Sequence, residues 1–304
     1  MPSNGTTVVR LGTRGSLLAR TQSQIVANAV EKAHPGVHVE LVTIRTSGDR
    51  ITDRPLHDVG GKGLFTKEIE QALLSGEVDF AVHSFKDVPV TMPLVDTSGL
   101  VIAAVPGRED PRDVLAAEGA PTLDALPQGA RVGTGSLRRR CQLLERRPDL
   151  RLEPLRGNID TRLRKQRDEG MDAVVVALAA LERLELTEHV AEVLEPGVML
   201  PQVAQGALAI ECRADDDATR ARVGAIEDAV VRRAVDAERA YLRTLGGGCD
   251  LPVGALAAVD GPEIVLDALL ASADGHTVVR TRVSGTDPDD VGETAAQFLM
   301  EKSA

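Results

Sequence analysis

Cys249 is the residue of this sequence best suited to covalent chemistry. It follows the three glycines of 246–248 and precedes Asp250, a context that predicts an exposed, mobile loop and not a packed core. An exposed thiol can ionise and react with an electrophile. Cys141 in a predicted helix and Cys212 in a predicted apolar strand are expected to be buried and inert. The cysteines therefore predict one reactive thiol and no disulfide framework.

Two Gly-Ser turns, each between a predicted strand and a predicted helix, are candidates for anion binding. The first spans 14–16 and the second 133–136, and the arginines of 138–140 follow the second. Free N–H groups and the helix dipole favour an anion there, and a guanidinium pairs with a carboxylate through two hydrogen bonds. A second interpretation stays open for either turn alone, in which Ser16 and Ser136 only cap their helices. Two such turns, both beside arginine, favour anion recognition.

The positive charge of the chain is concentrated in one region. The formal net charge is −11, yet residues 131–167 hold eleven Arg and one Lys against four acidic residues, about +8. A basic region in an acidic protein indicates a specific anion site more than general adhesion to nucleic acid. Aromatic residues are only 2% of the chain, so stacking on bases is poorly supplied. The arginines expected to be merely solvated are Arg146, Arg147, Arg164 and Arg167.

The segment 83–89, HSFKDVP, closes a predicted strand with polar residues. On a strand Ser84 and Lys86 point to the same side, and Asp87 lies at the exit. Ligands of α/β sheets bind at the carboxyl ends of strands, so this position is chemically privileged. A turn-capping role beside Pro89 is the simpler interpretation of Asp87 and is favoured on the residues alone.

Other motifs that carry chemistry are weak in this sequence. Neither Gly-Ser turn continues as a phosphate-binding loop or as a complete dinucleotide fingerprint. The six histidines are scattered without ligand spacing, so no metal site is predicted. The Gly-rich stretch 51–68 predicts either a lid that carries Lys62 or an ordinary long loop.

The elements that must position these residues alternate between short apolar runs and amphipathic stretches. This alternation predicts two related α/β domains with mixed sheets. A change to strand-like runs with Asp-Gly turns after residue 245 predicts a small α+β domain with an antiparallel sheet. Strands are predicted at 38–45, 78–83, 100–105, 151–155, 172–177, 207–212, 253–259, 263–271 and 277–284. Helical stretches are predicted at 65–75, 158–169, 178–185, 219–245 and from about 288.

The length and the hydropathy of the chain limit the number of domains and the kinds of protein that it can be. A chain of 304 residues is expected to form two or three domains. No segment approaches the roughly 18–20 apolar residues that span a bilayer, and the N-terminus lacks a secretory signal pattern. A cytoplasmic protein without a membrane partner is expected.

Seven segments, in this order, resemble the porphobilinogen deaminase family, also called hydroxymethylbilane synthase. They are LGTRGSLLARTQ, GGKGLFTKEIE, AVHSFKDVP, VGTGSLRRRCQL, LRGNIDTRL, ALAALERL and LRTLGGGCDLPVGA. The resemblance implies two domains like the halves of periplasmic-type binding proteins, with a catalytic cleft between them, and a third small domain. The expected boundaries are 1–105 with 201–222 for domain 1, 106–200 for domain 2 and 223–304 for domain 3.

The resemblance also implies an activity and a cofactor. The family condenses four porphobilinogen molecules head to tail, releases ammonia and yields hydroxymethylbilane for tetrapyrrole biosynthesis. It builds this product on a dipyrromethane primer, which would be thioether-linked to Cys249. Each pyrrole carries an acetate and a propionate, and the arginines of 131–167 would bind these carboxylates. The substrate is then the only partner expected, with no nucleic acid and no membrane, and the protein is expected to be a monomer.

The family's functional residues transfer to this chain by motif. Asp87 matches the catalytic aspartate, which would stabilise the cationic methylene-pyrrolenine left when ammonia departs and assist proton transfers. The residues expected to bind the cofactor are Cys249, Ser84, Lys86, Ser136, Arg138, Arg139, Arg162 and Gly206. Those expected to bind substrate are Arg14, Ser16, Gln22, Lys62, Arg156, Arg183 and Gln205. Asp58 stands where the family commonly has a lysine, which puts one basic contact of the lid in doubt.

Two other functions stay open on the sequence. One is a noncatalytic anion-binding receptor or regulator, because two-lobed folds host both. The other is a nucleic-acid binder that uses the arginines of 138–140, against which the scarce aromatics and the acidic balance weigh. A pyrrole adduct on Cys249 would separate the family's activity from the first alternative, whereas a steep salt-dependent gel shift would favour the second.

Overall fold

The computed structural model describes residues 6–46, 66–90, 99–247, 251–272 and 277–303. Cys249, Lys62 and Asp58 lie outside the described residues. The chain forms two compact units, Met1–Arg108 with Ala207–Arg232 and Glu109–Gly206 with Arg233–Ala304. The boundaries of three domains given above stay a prediction.

The described residues contain three sheets, and helices pack against them. The strands are β1 (Thr7–Arg14), β2 (Val37–Ile44), β3 (Phe80–Ser84), β4 (Leu100–Ala104), β5 (Asp113–Ala117), β6 (Arg131–Gly133), β7 (Arg151–Glu153), β8 (Ala173–Ala177), β9 (Glu192–Leu194), β10 (Leu208–Arg213), β11 (Val253–Asp260), β12 (Glu263–Ala271) and β13 (Val278–Gly285). The helices are α1 (Leu17–Ala33), α2 (Lys67–Leu74), α3 (Leu137–Arg146), α4 (Ile159–Asp168), α5 (Leu178–Arg183), α6 (Asp217–Gly224), α7 (Ala229–Thr244) and α8 (Pro288–Ser303).

The first unit contains a five-stranded mixed sheet in the order β2-β1-β3-β10-β4. β1 pairs in parallel with β2 and β3, whereas β10 runs antiparallel to β3 and β4. The core is aliphatic: Leu11, Val26, Val30 and Ile210 are at most 1% exposed. The first four residues of β3 are all buried, as is typical of a strand covered on both faces. The loops that follow the carboxyl ends of β1 and β3 are therefore the part of this sheet where polar side chains can bind a ligand.

The second unit repeats this plan with the order β7-β6-β8-β5-β9. β6 pairs in parallel with β7 and β8, and β5 runs antiparallel to β8 and β9. The repeated strand order confirms that the two Gly-Ser turns belong to related α/β folds. β5 and β9 were not predicted, because each is short and lies among Pro and polar residues.

The C-terminal part is a three-stranded antiparallel sheet, β11-β12-β13, as predicted. α8 packs against α7 at Gly292, where a Cβ would approach the Ala237 carbonyl oxygen to 2.5 Å. The buried Tyr241 hydroxyl on α7 donates to the Leu269 carbonyl at 2.7 Å. The mixed sheets and this antiparallel sheet confirm the predicted fold class. No described helix is long and apolar enough to cross a membrane.

The stretch 219–245 was predicted as one amphipathic element and forms two helices, α6 and α7. Asp228 ends the connection between them, and its Oδ1 accepts from the backbone N–H of Val230 and Val231, each at 3.0 Å. A side-chain acceptor of this kind is an N-terminal signal, which starts a new helix.

Candidate anion-binding site

At the carboxyl edge of the first unit's sheet, β1 and β3 end side by side. The two strands are parallel neighbours, so Arg14 at the end of β1 and Ser84 at the end of β3 leave the same edge. Ser16 begins α1, and its Oγ accepts from the backbone N–H of Ala19 at 3.3 Å. Arg14 and Ser16 are both half-buried.

Gln22 joins α1 to the exit of β3. Its buried side-chain amide donates to the Ser84 Oγ at 3.0 Å. A 3₁₀ turn, Phe85–Asp87, follows, and the Phe85 side chain is buried while its N–H donates to the Ala207 carbonyl at 3.0 Å. This anchoring holds the turn, so that Asp87 is exposed at its end. Lys86 is half-buried beside it.

In the second unit, the Gly-Ser turn leads from β6 into α3. Ser136 Oγ accepts from the backbone N–H of Arg139 at 3.4 Å, so both Ser16 and Ser136 are helix caps. Capping does not exclude anion binding, because a hydroxyl that accepts one hydrogen bond keeps its own proton to donate. Gly135 is required here, since a Cβ would lie 2.7 Å from the Leu155 carbonyl oxygen.

Arg138 and Arg139, the first arginines of α3, are buried and share one carboxylate. Arg139 Nη2 donates to Asp113 Oδ1 at 2.7 Å, and Arg138 Nη1 lies 2.7 Å from Asp113 Oδ2. The same Arg138 nitrogen donates to the Leu200 carbonyl at 2.7 Å, and Arg139 Nη1 donates to the Val175 carbonyl at 2.8 Å. Asp113 begins β5 opposite Ala177, the last residue of β8, so the cluster lies at the sheet's carboxyl edge.

Gln205 belongs to the same cluster, and Arg183 contacts Gly206, the residue that follows Gln205 in the chain. The fully buried Gln205 donates through Nε2 to Asp113 Oδ1 at 2.9 Å and to the Pro111 carbonyl at 2.8 Å. Arg183 Nη2 donates to the Gly206 carbonyl at 2.6 Å. Gly206 has φ +88°, a conformation that favours glycine. Five residues predicted to bind cofactor or substrate thus meet in one unit.

This cluster carries an excess of positive charge away from water. Burial acts to raise the pKa of Asp113, but the guanidiniums of Arg138 and Arg139 outweigh it and hold the pKa below the ordinary value. Asp113 is therefore ionised, and with two guanidinium groups the Arg138–Asp113–Arg139 cluster has a charge of +1. Burial lowers the pKa of Arg138 and of Arg183. A buried net charge is costly unless a counter-charge is supplied.

Three guanidinium N–H groups are available for such a counter-charge. The buried Nε atoms of Arg138, Arg139 and Arg183 have no hydrogen-bond partner among the described residues. Unpaired buried donors cost free energy, and an anion bound near these guanidiniums would offset part of that cost and of the excess charge. The residues present therefore fit a ligand that carries carboxylates.

Arg156 and Arg162 lie on the next loop and helix of the second unit. Asn158 is the N-cap position of α4, and Arg162 Nε reaches back to the Gly157 carbonyl at 2.8 Å. Gly157 has φ +114°, and a Cβ there would clash with Thr161 at 2.6 Å. The loop therefore depends on glycine. Arg156 and Arg162 are both half-buried.

The structure corrects one prediction and adds one residue. Arg147 was expected to be solvated, but it is largely buried, pairs with Asp149 at 2.7 Å and donates to the Leu126 carbonyl at 3.2 Å. Asp113 was missed, because a lone aspartate after Pro111 and Arg112 resembles a loop residue. The only sequence signal for it was the buried strand that it begins.

The predicted burial of two cysteines is confirmed, and their lack of reactivity stays a prediction. Cys141 is 2% exposed and Cys212 is fully buried, and burial raises the pKa of the Cys212 thiol to about 11. Among the described residues, no group of three His, Cys, Asp or Glu side chains could hold a metal ion. The expected absence of a metal stays a prediction.

Two family models match this chain. The model "Porphobilinogen deaminase, dipyromethane cofactor binding domain" matches residues 9–221, and "Porphobilinogen deaminase, C-terminal domain" matches residues 233–301. A curated porphobilinogen deaminase from Roseiflexus castenholzii is 48% identical over 96% of this chain and 95% of its own length. Another, from Brevibacillus brevis, is 49% identical over 97% of this chain and 94% of its own length. Among solved structures, the Methionine Binding Protein MetQ is 15% identical, with a TM-score of 0.46, over 74% of this chain and 92% of its own.

Proposed function

The chain belongs to the porphobilinogen deaminase family, and from this premise we propose that it condenses four porphobilinogen molecules head to tail into hydroxymethylbilane. The product is a linear tetrapyrrole, and one ammonia leaves for each addition. The proposed primer is a dipyrromethane on Cys249, consistent with the family domain that matches residues 9–221. The monomeric state and the cytoplasmic location given above stay predictions.

The buried cationic cluster of the second unit is the observation that carries this proposal. Every pyrrole of the substrate and the primer bears two carboxylates. Arg138 and Arg139 are charged donors that share the single carboxylate of Asp113, so the Asp113 cluster has an excess charge of +1. A charge-assisted hydrogen bond from such a donor is about twice as strong as a neutral one. These residues are suited to hold acetate and propionate groups.

The remaining residues of the second unit have supporting roles in the proposal. Ser136 keeps its hydroxyl proton while it caps α3, and it would donate that proton to a carboxylate oxygen. Arg156 and Arg162 would pair with further carboxylates at the loop that Gly157 shapes. Gly206 and Gln205 would fix Arg183 and Asp113 through the hydrogen bonds described above.

The first unit supplies the proposed acid-base residue. Asp87 is exposed on a turn whose preceding side chain, Phe85, is buried, so the carboxylate is held at the sheet edge by a rigid neighbour. A carboxylate there would hold a pyrrole N–H, stabilise the positive charge that develops as ammonia leaves, and receive the proton lost on coupling. Arg14, Ser16, Lys86, Ser84 and Gln22 surround this edge and are proposed to bind acidic side chains or to position those that do.

The dipyrromethane, when bound, supplies a nucleophilic α-carbon on its terminal ring. The protein's part is to orient rings through their carboxylates, because the reaction is then accelerated by proximity and charge stabilisation. Reuse of the primer requires that Cys249 stay bonded to it through each cycle.

Turnover of porphobilinogen by the purified protein tests the proposal. We expect release of ammonia and of a linear tetrapyrrole, in a ratio of four to one. The matched control is Cys249→Ala, which should lack both products. Protein that binds porphobilinogen but releases neither product would instead support the noncatalytic anion-binding function.

A further inference from the structure

Asp113 lies at the centre of the guanidinium cluster, yet it is fully buried. Its Oδ1 accepts from Arg139 Nη2 at 2.7 Å and from Gln205 Nε2 at 2.9 Å, while Oδ2 pairs with Arg138 Nη1 at 2.7 Å. A carboxylate with no exposed surface cannot itself contact a ligand. Whatever Asp113 contributes to binding must pass through the side chains that it holds.

The contacts fix the direction of each guanidinium. Arg138 is held through Nη1 by Asp113 and the Leu200 carbonyl, and Arg139 is held through both terminal nitrogens by Asp113 and the Val175 carbonyl. A guanidinium is planar and rigid, so fixing its terminal nitrogens sets the plane of the whole group. The Nε atoms of both arginines are buried without a described partner, so Asp113 acts on the orientation and the charge of the two guanidiniums as whole groups.

Asp113 also sets the charge of the cluster. Two guanidiniums on successive residues of one helix repel each other, and one shared carboxylate lowers the charge of the group from +2 to +1. A charge of +1 matches one carboxylate of a ligand.

From this geometry we infer that Asp113 is a positioning residue, which aligns Arg138 and Arg139 for the acidic side chains of the pyrroles without touching them. The inference rests on the proposed function. Asp113 would then contribute to ligand binding as well as to the stability of the fold, whereas a purely structural ion pair would contribute to stability alone.

Two substitutions separate position from charge. Asp113→Glu keeps the charge but moves the carboxylate by one methylene, and we expect it to raise KM for porphobilinogen about tenfold with kcat changed less than about twofold. Asp113→Asn removes the charge, and we expect a larger loss of kcat/KM and a smaller fraction of chains that carry the two-pyrrole adduct in intact-mass spectra. If Asp113→Asn does not fold, Asp113→Glu decides the question alone.

A double-mutant cycle tests whether Asp113 acts through its neighbours. In an Arg139→Gln background, Asp113→Asn should lower kcat/KM by no more than about threefold further, because the group that it positions is already gone. The matched control is Asp149→Asn, which removes the partner of Arg147 in the same unit and should leave kcat/KM within about twofold of the native value.

The outcomes distinguish the inference from the function on which it rests. If the native protein turns over porphobilinogen and Asp113→Glu leaves KM unchanged, the inference alone is overturned. An equal loss from Asp113→Asn in the native and Arg139→Gln backgrounds would do the same. A native protein that does not consume porphobilinogen would overturn the proposed function, and the inference with it.

Discussion

Arg139 donates from Nη2 to Oδ1 of Asp113 across 2.7 Å, at a place where the arginine side chain is 6% exposed and the aspartate side chain is fully buried. This pair gives an arginine in the first turn of α3 a buried structural partner, and the same arginine is proposed to bind an anion. Removal of either member leaves a buried charge with less compensation, which is much more costly than loss of an exposed pair. We therefore expect a substitution of Arg139 to change both the stability of the protein and the proposed anion binding.

Arg139→Leu should lower the free energy of unfolding by about 3–5 kcal/mol, because Asp113 loses one of its two guanidinium partners in a buried site. It should also weaken the binding of a carboxylate by about 1–3 kcal/mol. Urea denaturation and the measured lifetime of elongation intermediates check the two effects.

Arg146→Leu on the same helix is the control. Its pair with Asp124 is exposed and screened by solvent, so a much smaller loss of stability is expected. Equal losses in the two variants would contradict the account.

Asp87→Asn should leave the cofactor attached and nearly abolish elongation. The substitution keeps the size and exposure of the side chain, but it removes the charge that would stabilise the transition state. Intact-mass spectra should show the two-pyrrole adduct in most chains, while kcat falls by about a hundredfold or more. Turnover close to the native rate would refute the assignment of Asp87.

Gly135→Ala should damage the second Gly-Ser turn more than Gly15→Ala damages the first. A Cβ on Gly135 would meet the Leu155 carbonyl oxygen at 2.7 Å, whereas a Cβ on Gly15 would meet only Thr43 at 3.7 Å, an ordinary contact. We expect Gly135→Ala to lower the thermal midpoint by several degrees, roughly the effect of 1–3 kcal/mol of overpacking. If both variants melt at the same temperature as the native protein, the close approach at Gly135 has no energetic consequence.

Glu70→Gln should flatten the dependence of stability on pH. Burial raises the pKa of the Glu70 carboxyl above its ordinary value of about 4.5, and the nearby Glu211 carboxylate raises it further. Between the ordinary value and the raised one, the folded state binds more protons than the unfolded state, so the free energy of unfolding falls as pH rises. The variant has no ionisable group at this position. Its free energy of unfolding should therefore fall less between pH 4.5 and pH 8 than that of the native protein. Parallel denaturation curves at both pH values would contradict this sign.

Much of the fold follows from local sequence signals. Strands such as 207–212 and 263–271 were predicted to within about a residue, because their aliphatic runs are bounded by Gly, Pro or Asp. Antiparallel β5 and β9 were not, since only pairing in the tertiary structure stabilises such short segments. The break between α6 and α7 depends on the cap at Asp228, a signal that is hidden within a long amphipathic stretch.

The candidate site could be predicted in its residue types but not in its internal pairing. Arg138 and Arg139 were found as neighbours of a Gly-Ser turn, whereas their burial against Asp113 requires β5 to run beside β8. Arg147 shows the same limit, because its backbone acceptors come from residues about twenty positions earlier in the chain. The sequence shows which arginines can donate hydrogen bonds. Only the fold shows which carboxylates and carbonyl groups accept them.

The mass of the intact chain tests the central claim most directly. Protein purified without exposure to acid should be heavier than its sequence by two pyrrole units, and peptide mapping should place the addition on Cys249. The buried Cys141 and Cys212 should remain unmodified. Further additions of one pyrrole unit each should appear when substrate is limiting. A chain with the mass of its sequence alone, inactive with porphobilinogen, would contradict the account.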